Sequence, residues 1–355
     1  MNIFLNFSAV KILMQFATKI TDKLKILDEL KDFEEFQQNT GSYSKISCKV
    51  LEGEIVALKK IKPEKRSTLE KRVQIFFREV TDQILAGYPS VLPVHGFNFF
   101  HYSKKNEIFL YKPRLATKFC DEGMLSDVLK KMKKNKKLSD KYIQTQNYIF
   151  AYGIAKGMEN LYINRILHRD LKSDNIFVSK PTFENENIPS DIMPLFKNKE
   201  YMIPFIADLG LAKVAIVTEQ SQQCGTYYYL APEVMSSKNY YFPVDVYSYA
   251  IILSNIFQLR EKPIFNCTKT TYHFIQHVTN GKRPSVNECT ADQKNYLDKL
   301  WASDPKARPT FIDIVEYLEN PGEKFIFDNY DQEVIDAYKK YIKYLLNSNS
   351  NSNTI

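Results

Sequence analysis

The chain has 355 residues, 44% hydrophobic and 14% aromatic, which excludes a disordered polymer and allows one two-lobed unit or two domains. Its net charge of +8, from 49 basic and 41 acidic residues, suits contact with phosphates or acidic surfaces without requiring nucleic acid. The five cysteines (Cys48, Cys120, Cys224, Cys267, Cys289) are odd in number and lack C-x-x-C spacing, which argues against disulfides and zinc and for a reducing, cytoplasmic setting.

No uncharged apolar run reaches the ~18–20 residues of a membrane span. Residues 1–31 open with Ile3, Phe7, Val10, Met14 and Ala17 at alternating four- and three-residue steps, which puts one apolar face on a helix. Lys11 interrupts the run, and there is no basic start or small-residue cleavage site. The extension either packs on the neighbouring domain, or hangs free, or attaches residues 1–20 to a membrane surface; the last is the less favoured reading.

The period then changes. Phe33-Glu34-Glu35-Phe36, residues 39–46 and residues 54–60 read as strand, turn, strand, turn, strand. Lys59 closes an apolar strand, which by itself describes an edge strand with a solvated charge. Residues 69–85 predict a helix with Val73, Phe76, Phe77, Val80 and Ile84 near one face, and Glu79 lies on it as an ordinary surface glutamate. Tyr88-Pro89 stops that helix, residues 91–97 begin an extended segment, and 108–119 read as the second strand of a hairpin. Asp121-Glu122-Gly123 marks a boundary between lobes.

Beyond 124 the pattern is mostly helical. The basic run 130–137 reads as a solvated connection between two helices, with docking of an acidic regulatory partner as the alternative. Residues 148–162 predict a long amphipathic helix. The irregular stretch 179–202, rich in Asn, Pro, Glu and Lys, interrupts a short hairpin and reads as a surface excursion. The strand resumes at 203–207. A last helix is expected at 332–346, and 347–355 is low-complexity Asn/Ser, expected to be disordered.

The informative stretch is ILHRDLKSDNIFV at 166–178. Two apolar runs flank His168-Arg169-Asp170, Lys172 and Asn175, an arrangement that holds a polar loop rigid. The spacing matches H-R-D-x-x-x-x-N. With Val56-Ala57-Leu58-Lys59 before it, and Asp208-Leu209-Gly210 and Ala231-Pro232-Glu233 after it, the chain resembles the eukaryotic protein kinases over roughly residues 32–320. HRDLKSDNIF, GTYYYLAPEV, DVYSYAI, NGKRPSV and LWASDPKARPTF are most similar to the tyrosine-kinase-like group, which is mostly serine/threonine-specific.

That resemblance implies an α+β, two-lobed fold. An antiparallel β-sheet lobe with one key helix would span 32–119, and a larger, mainly helical lobe 120–322. The extension 1–31 and the C-terminal helix and tail 323–355 would flank them. It implies ATP and Mg2+ as cofactors and proteins as substrates. Lys59 would hold the α/β-phosphates, with Glu79, twenty residues later, as its ion-pair partner. Asp170 would orient the substrate hydroxyl and accept its proton. Lys172 would stabilise the transferred phosphoryl, and Asn175 and Asp208 would bind metal.

The phosphate-covering loop departs from G-x-G-x-x-G-x-V. It reads Asn39-x-Gly41-x-x-Ser44-x-Ile46, with Ser42 and Tyr43 following the one retained glycine. Asn tolerates left-handed backbone and Ser is small, so close approach to phosphate survives. Leu209 stands where the family usually has Phe. The adenine site would take Ile46 and Ala57 as roof, Phe177 as floor, Thr117 as gatekeeper, and the backbone of Lys118 to Cys120 as hinge.

Lys172 and Gly225-Thr226 argue for serine/threonine specificity. Glu233 and Arg308 would form a buried ion pair, Asp245 would anchor the loop backbone, and Thr226 would sit beside Asp170 and Lys172. Arg169 suggests control by phosphorylation of the activation loop, with Thr218 and Ser221 as candidate sites. The reading is thus an ATP-dependent serine/threonine protein kinase. The alternative, raised by the altered glycine loop, is a pseudokinase acting as a nucleotide sensor or scaffold.

Overall fold

In the computed structural model the described residues are 25–26, 38–40, 44–51, 54–61, 76, 80, 83–84, 89–103, 108–182, 188–197, 201–209, 226–236, 241–266, 270–322 and 325–351. They fall into two units. One takes the described residues before 88, Leu92–Cys120 and Leu209; the other takes 89–91, Asp121–Asp208 and the residues from 226 on.

Period-two alternation builds the first unit. Its sheet comprises β1 (Lys25–Ile26), β2 (Gln38–Thr40), β3 (Ser44–Leu51), β4 (Glu54–Ile61), β5 (Val94–Ser103) and β6 (Ile108–Lys118), in the order β1-β5-β6-β4-β3-β2. Only β1 runs parallel to its neighbour; the other pairs are antiparallel. Lys25 and Ile26, assigned from sequence to the N-terminal extension, are therefore an edge of this sheet. Along β4, Val56 and Leu58 are buried while Ala57 and Lys59 are half-buried, as a pleat with one face on a core requires. Helical positions Phe76, Val80 and Gln83 are buried in the same unit. Phe76 meets Phe97 edge-on at 6.1 Å, and the Gln83 amide donates to Leu92 O at 2.6 Å, satisfying a buried polar side chain.

The second unit is arranged round one helix. After β7 (Gly123–Met124) and α1 (Leu125–Lys134) comes α2 (Asp140–Ile163), capped at its start by Ser139, whose Oγ accepts from Tyr142 N at 3.2 Å. Sequence patterning predicts an amphipathic helix over 148–162. The structure instead starts it eight residues earlier and buries it on nearly every side. Its polar residues explain the difference. Thr145, Gln146 and Asn147 are all buried, and the first two are hydrogen-bonded to backbone, so they mimic a solvated face without being one. At Gly157 an added Cβ would lie 2.6 Å from Ile206 Cδ1 and 3.0 Å from Ser90 O, so glycine is what lets these groups approach the helix.

Two strands, β8 (Ile176–Ser179) and β9 (Ile203–Ile206), pair antiparallel with β7 at the β8 edge. Ser179 pairs with Ile203, so residues 180–202 are the loop of this hairpin. Most of the described residues of this stretch are exposed or half-buried, as expected of a surface excursion, but it is anchored. Ile192, Leu195 and Met202 are buried, and α3 (Met193–Phe196) forms inside the loop. Gln146 grips it with both amide atoms, Nε2 donating to Met202 O at 2.8 Å and Oε1 accepting from Met202 N at 2.9 Å.

Among the described residues five further helices follow: α4 (Pro232–Ser236), α5 (Pro243–Phe257), α6 (Thr271–Thr279), α7 (Ala291–Leu300) and α8 (Phe311–Glu319). Capping boxes at Thr290/Gln293 and Thr310/Asp313 start α7 and α8. The last helix, α9 (Gln332–Asn351), runs into the Asn/Ser stretch that composition marks as disordered. Its buried face, Val334, Ile335, Ala337, Tyr338, Tyr341 and Ile342, explains why the helix forms. Fully burying each large side chain stabilises by about 1.5–3 kcal/mol, more than the low helix propensity of Asn and Ser takes away. Tyr341 meets Phe196 edge-on at 5.6 Å and donates from Oη to Thr182 O at 2.9 Å, so this helix holds the 180–202 loop.

The basic run is also corrected. Lys130, Lys131, Lys133 and Lys134 lie in the last turns of α1, where cations complement the helix dipole, and only the residues from 135 to 139 connect the helices. Lys130 pairs with Glu261 at 2.8 Å and Lys133 with Glu288 at 3.2 Å. Among the described residues no helix is long and apolar enough to cross a membrane.

Candidate active site

The loop between α2 and β8 is fixed from beneath by α5. Asp245, in its first turn and almost fully buried, accepts from His168 N at 2.8 Å and from Arg169 N at 2.9 Å, one carboxylate oxygen to each amide. Burial pushes its carboxyl above the usual range, opposed by His168 and the two amides. Arg169 sits at φ 67°, in left-handed backbone.

The His168 ring, buried with no exposed surface, ties the loop to the strand that follows. Nε2 lies 3.1 Å from Ala207 O and Nδ1 3.4 Å from Asp170 N. Both contacts are met by the tautomer with its hydrogen on Nε2. Ala207 N in turn donates to Asn175 O at 3.0 Å. Asp208 follows at once, at φ 68°. The residue after β9 is thus tied to the residue before β8 through its amide and to the His168 ring through its carbonyl.

The polar side chains converge on Asp170. Lys172 Nζ lies 2.7 Å from Oδ2, and Asn175 Nδ2 donates to the same oxygen at 2.9 Å and to Asp170 O at 2.8 Å. Charge-assisted bonds of this kind are roughly twice as strong as neutral ones. With its nitrogen committed to Asp170, the Asn175 amide retains its oxygen as a possible metal ligand. The turn Ser173–Asn175 is a short 3-10 helix, and Asp174 accepts from Ser126 Oγ at 2.6 Å, which ties it to α1.

Glu233 in α4 and Arg308 form a bidentate pair at 2.6 and 2.9 Å, and the guanidinium also donates to Pro243 O and Ala302 O, each at 2.9 Å. The Arg308 side chain has no exposed surface and lies over the Tyr247 ring at 5.2 Å.

In the first unit, Ala57 is opposite Thr117, and Thr117 Oγ1 reaches Ala57 O at 3.5 Å. Lys59 is opposite Ile46 on one side and Leu115 on the other. Asn39 pairs with Ile46 across β2 and β3. Lys118 N donates to Pro93 O at 3.0 Å, and Cys120 is buried. In the second unit Phe177 is half-buried on β8, opposite Met124 and Phe205. Glu79, Gly41, Ser42, Tyr43, Thr218 and Ser221 lie outside the described residues, as do the side chains of Asn39, Ser44, Ile46 and Thr226.

The structure therefore gathers Arg169, Asp170, Lys172, Asn175 and Asp245 at one loop, and sets Ala57 and Thr117 face to face on neighbouring strands with Lys59 two residues along β4. Sequence reasoning gave no role to the His168 ring, Ser126, Ser173 or Tyr229. Their signal is faint, because a histidine or serine inside a motif carries no sign of what its side chain touches.

Residues 39–318 match the protein kinase domain family. This chain belongs to the eukaryotic protein kinase family. The kinases it resembles include a probable serine/threonine-protein kinase of Dictyostelium discoideum, 28% identical over 279 residues, 78% of this chain and 18% of the relative. Serine/threonine-protein kinase VIK of Arabidopsis thaliana is 28% identical over 303 residues, 82% of this chain and 60% of VIK. Dual specificity protein kinase pyk3 of Dictyostelium discoideum is 28% identical over 315 residues, 87% of this chain and 20% of pyk3. The chain thus spans less than two thirds of the length of these kinases. The enzymes of this family use ATP and a divalent metal on protein substrates.

Proposed function

We propose that this chain is a protein kinase domain that transfers the γ-phosphoryl group of ATP to serine and threonine hydroxyls, with magnesium as its metal. The observation that carries the reading is the convergence of Lys172 Nζ and Asn175 Nδ2 on Asp170 Oδ2. Both donors occupy one carboxylate oxygen, which leaves Oδ1 to accept a proton from the acceptor hydroxyl. That hydroxyl oxygen bonds to phosphorus as the bond from phosphorus to the β,γ-bridging oxygen breaks, and its proton passes to Asp170. Lys172, next to the reacting group, offsets charge on the transferred phosphoryl.

The Asn175 amide oxygen and the Asp208 carboxylate are hard donors of the kind magnesium takes, so these residues fit the metal. Bound there, magnesium neutralises charge on the phosphates. Lys59, with Glu79 as its partner, is assigned to the α/β-phosphates. Ile46, Ala57, Thr117, Phe177 and the backbone of Lys118 to Cys120 are assigned to adenine. Specificity for serine and threonine rests on Lys172 and on relatives whose names carry it. Arg169 has a buried Nε without a hydrogen-bond partner among the described residues. A phosphate at Thr218 or Ser221 would supply one, which supports control by phosphorylation.

The test is phosphoryl transfer from γ-labelled ATP to a general protein substrate with magnesium, followed by phosphoamino-acid analysis. Asp170→Asn is expected to lower transfer by about 10²–10⁴-fold, and Asp208→Asn to lower it by removing a metal donor. Equal labelling by the wild type and both variants sinks the enzyme reading, and phosphotyrosine as the sole product sinks the serine/threonine assignment.

A further inference from the structure

The catalytic loop is fastened to α5 at a second point, through a residue that the motif does not name. Ser173, with no exposed surface, lies between Lys172 and Asp174 and starts the turn ending at Asn175. Its Oγ accepts from Tyr229 Oη at 3.3 Å, and that hydroxyl accepts from Asn255 Nδ2 at 3.3 Å. Tyr229 is 5% exposed and Asn255 fully buried. The tyrosine is held at its backbone too, because Ser248 Oγ donates to Tyr229 O at 2.8 Å.

The two anchors bracket the chemistry. Asp245 holds the amides of His168 and Arg169, just before Asp170, while Asn255 and Tyr229 hold Ser173, just after Lys172. Ten residues of helix, about 15 Å at 1.5 Å per residue, separate Asp245 from Asn255. A buried aromatic ring needs no such chain of polar contacts to fill space. Its hydroxyl brings a desolvation cost that only specific partners offset. Burial pushes this hydroxyl up to about 12, with Ser173 and Asn255 pulling the other way, so it remains a donor at neutral pH.

We propose that Tyr229 is a positioning residue for phosphoryl transfer, its hydroxyl fixing Ser173 and thereby the span that presents Lys172 and Asn175 to Asp170. The inference rests on the kinase reading above. Tyr229→Phe keeps the ring and removes the hydroxyl; Ser173→Ala cuts the same link without touching the ring's packing.

The experiment measures kcat and the KM for ATP in wild type, both single variants and the double variant of the full chain, with thermal unfolding alongside. Each single variant is expected to lose about fivefold to tenfold in kcat, the effect of one hydrogen bond, with KM for ATP unchanged. The double variant is expected to lose no more than either single, because both cut one link. An unchanged kcat in folded Tyr229→Phe, a loss of stability alone, or losses that multiply in the double variant overturns the proposal while leaving the kinase reading intact. An inactive wild-type chain overturns both.

Discussion

Replacing Gly153 with alanine tests whether the C-terminal helix α9 packs on α2 as described. In an exposed helix this change stabilises by about 1 kcal/mol, because glycine has more backbone freedom to lose. Here the new Cβ would lie 2.7 and 3.0 Å from Cγ and Cδ of Pro204 and would also meet the Tyr338 hydroxyl. Ordinary carbon contacts are about 3.5–4.0 Å. Pro204 is buried in β9 and Tyr338 in α9, so neither is free to retreat into solvent. Overpacking of this kind costs about 1–3 kcal/mol, and two obstructed directions place it near the top of that range. The net expectation is a loss of about 2 kcal/mol. At about 2–4 °C per kcal/mol for a unit of this size, Tm falls by about 4–8 °C, read by circular dichroism on heating. Gly322→Ala, whose Cβ meets nothing within 4 Å, is the control and is expected to leave Tm in place. Adding Tyr338→Phe to Gly153→Ala removes one obstruction and is expected to return part of the loss. A rise in Tm for Gly153→Ala would refute the packing of α9 on this face.

Asp245→Asn presents one acceptor to the two amides now held by separate carboxylate oxygens, and is expected to cost about 2–4 kcal/mol, read from the urea midpoint. A variant as stable as wild type would show that the anchor is dispensable. Arg308→Lys gives up the planar fork that serves Glu233 twice as well as Pro243 O and Ala302 O, and is expected to cost about 3–5 kcal/mol; a shift below 1 kcal/mol in chemical denaturation would contradict it. Burial pushes the Cys289 thiol up to about 11 from 9.0, so below both values it carries about a hundredfold less thiolate than an ordinary cysteine. Iodoacetamide at pH 8 is expected to leave it unmodified in the folded chain and to label it in urea, and rapid labelling without denaturant would count against that burial.

Much of this was legible where a residue's role is written in its own chemistry. Asp170, Lys172 and Asn175 stand at motif spacing, and their side chains meet. Glu233 and Arg308 are 75 positions apart, yet the resemblance pairs them and the structure joins them in two hydrogen bonds. Strand β4 was legible as an apolar run bounded by turns and closed by Lys59, and its pleat buries Val56 and Leu58, whereas β1 was read as part of the extension and the expected strand at 33–36 lies outside the described residues. What failed was burial that depends on distant partners. Thr145 and Gln146 look solvated until Asp331 and Met202 are found beside them. The stretch 180–202 reads as loop because Ile192 and Leu195 carry no period of their own, and α9 buries a face that composition alone does not reveal. The lysines of α1 look like a tether because the acidic residues that face them, Glu261 and Glu288, lie more than a hundred positions away.

Arg169 and Asp208 stand at φ 67° and 68°, where an ordinary side chain crowds its own carbonyl and glycine does not. Asp tolerates this backbone better than most side chains, so the cost falls mainly at Arg169. Glycine there would ease the backbone while removing the guanidinium, so Arg169→Gly separates what the fold prefers at this position from what the side chain supplies.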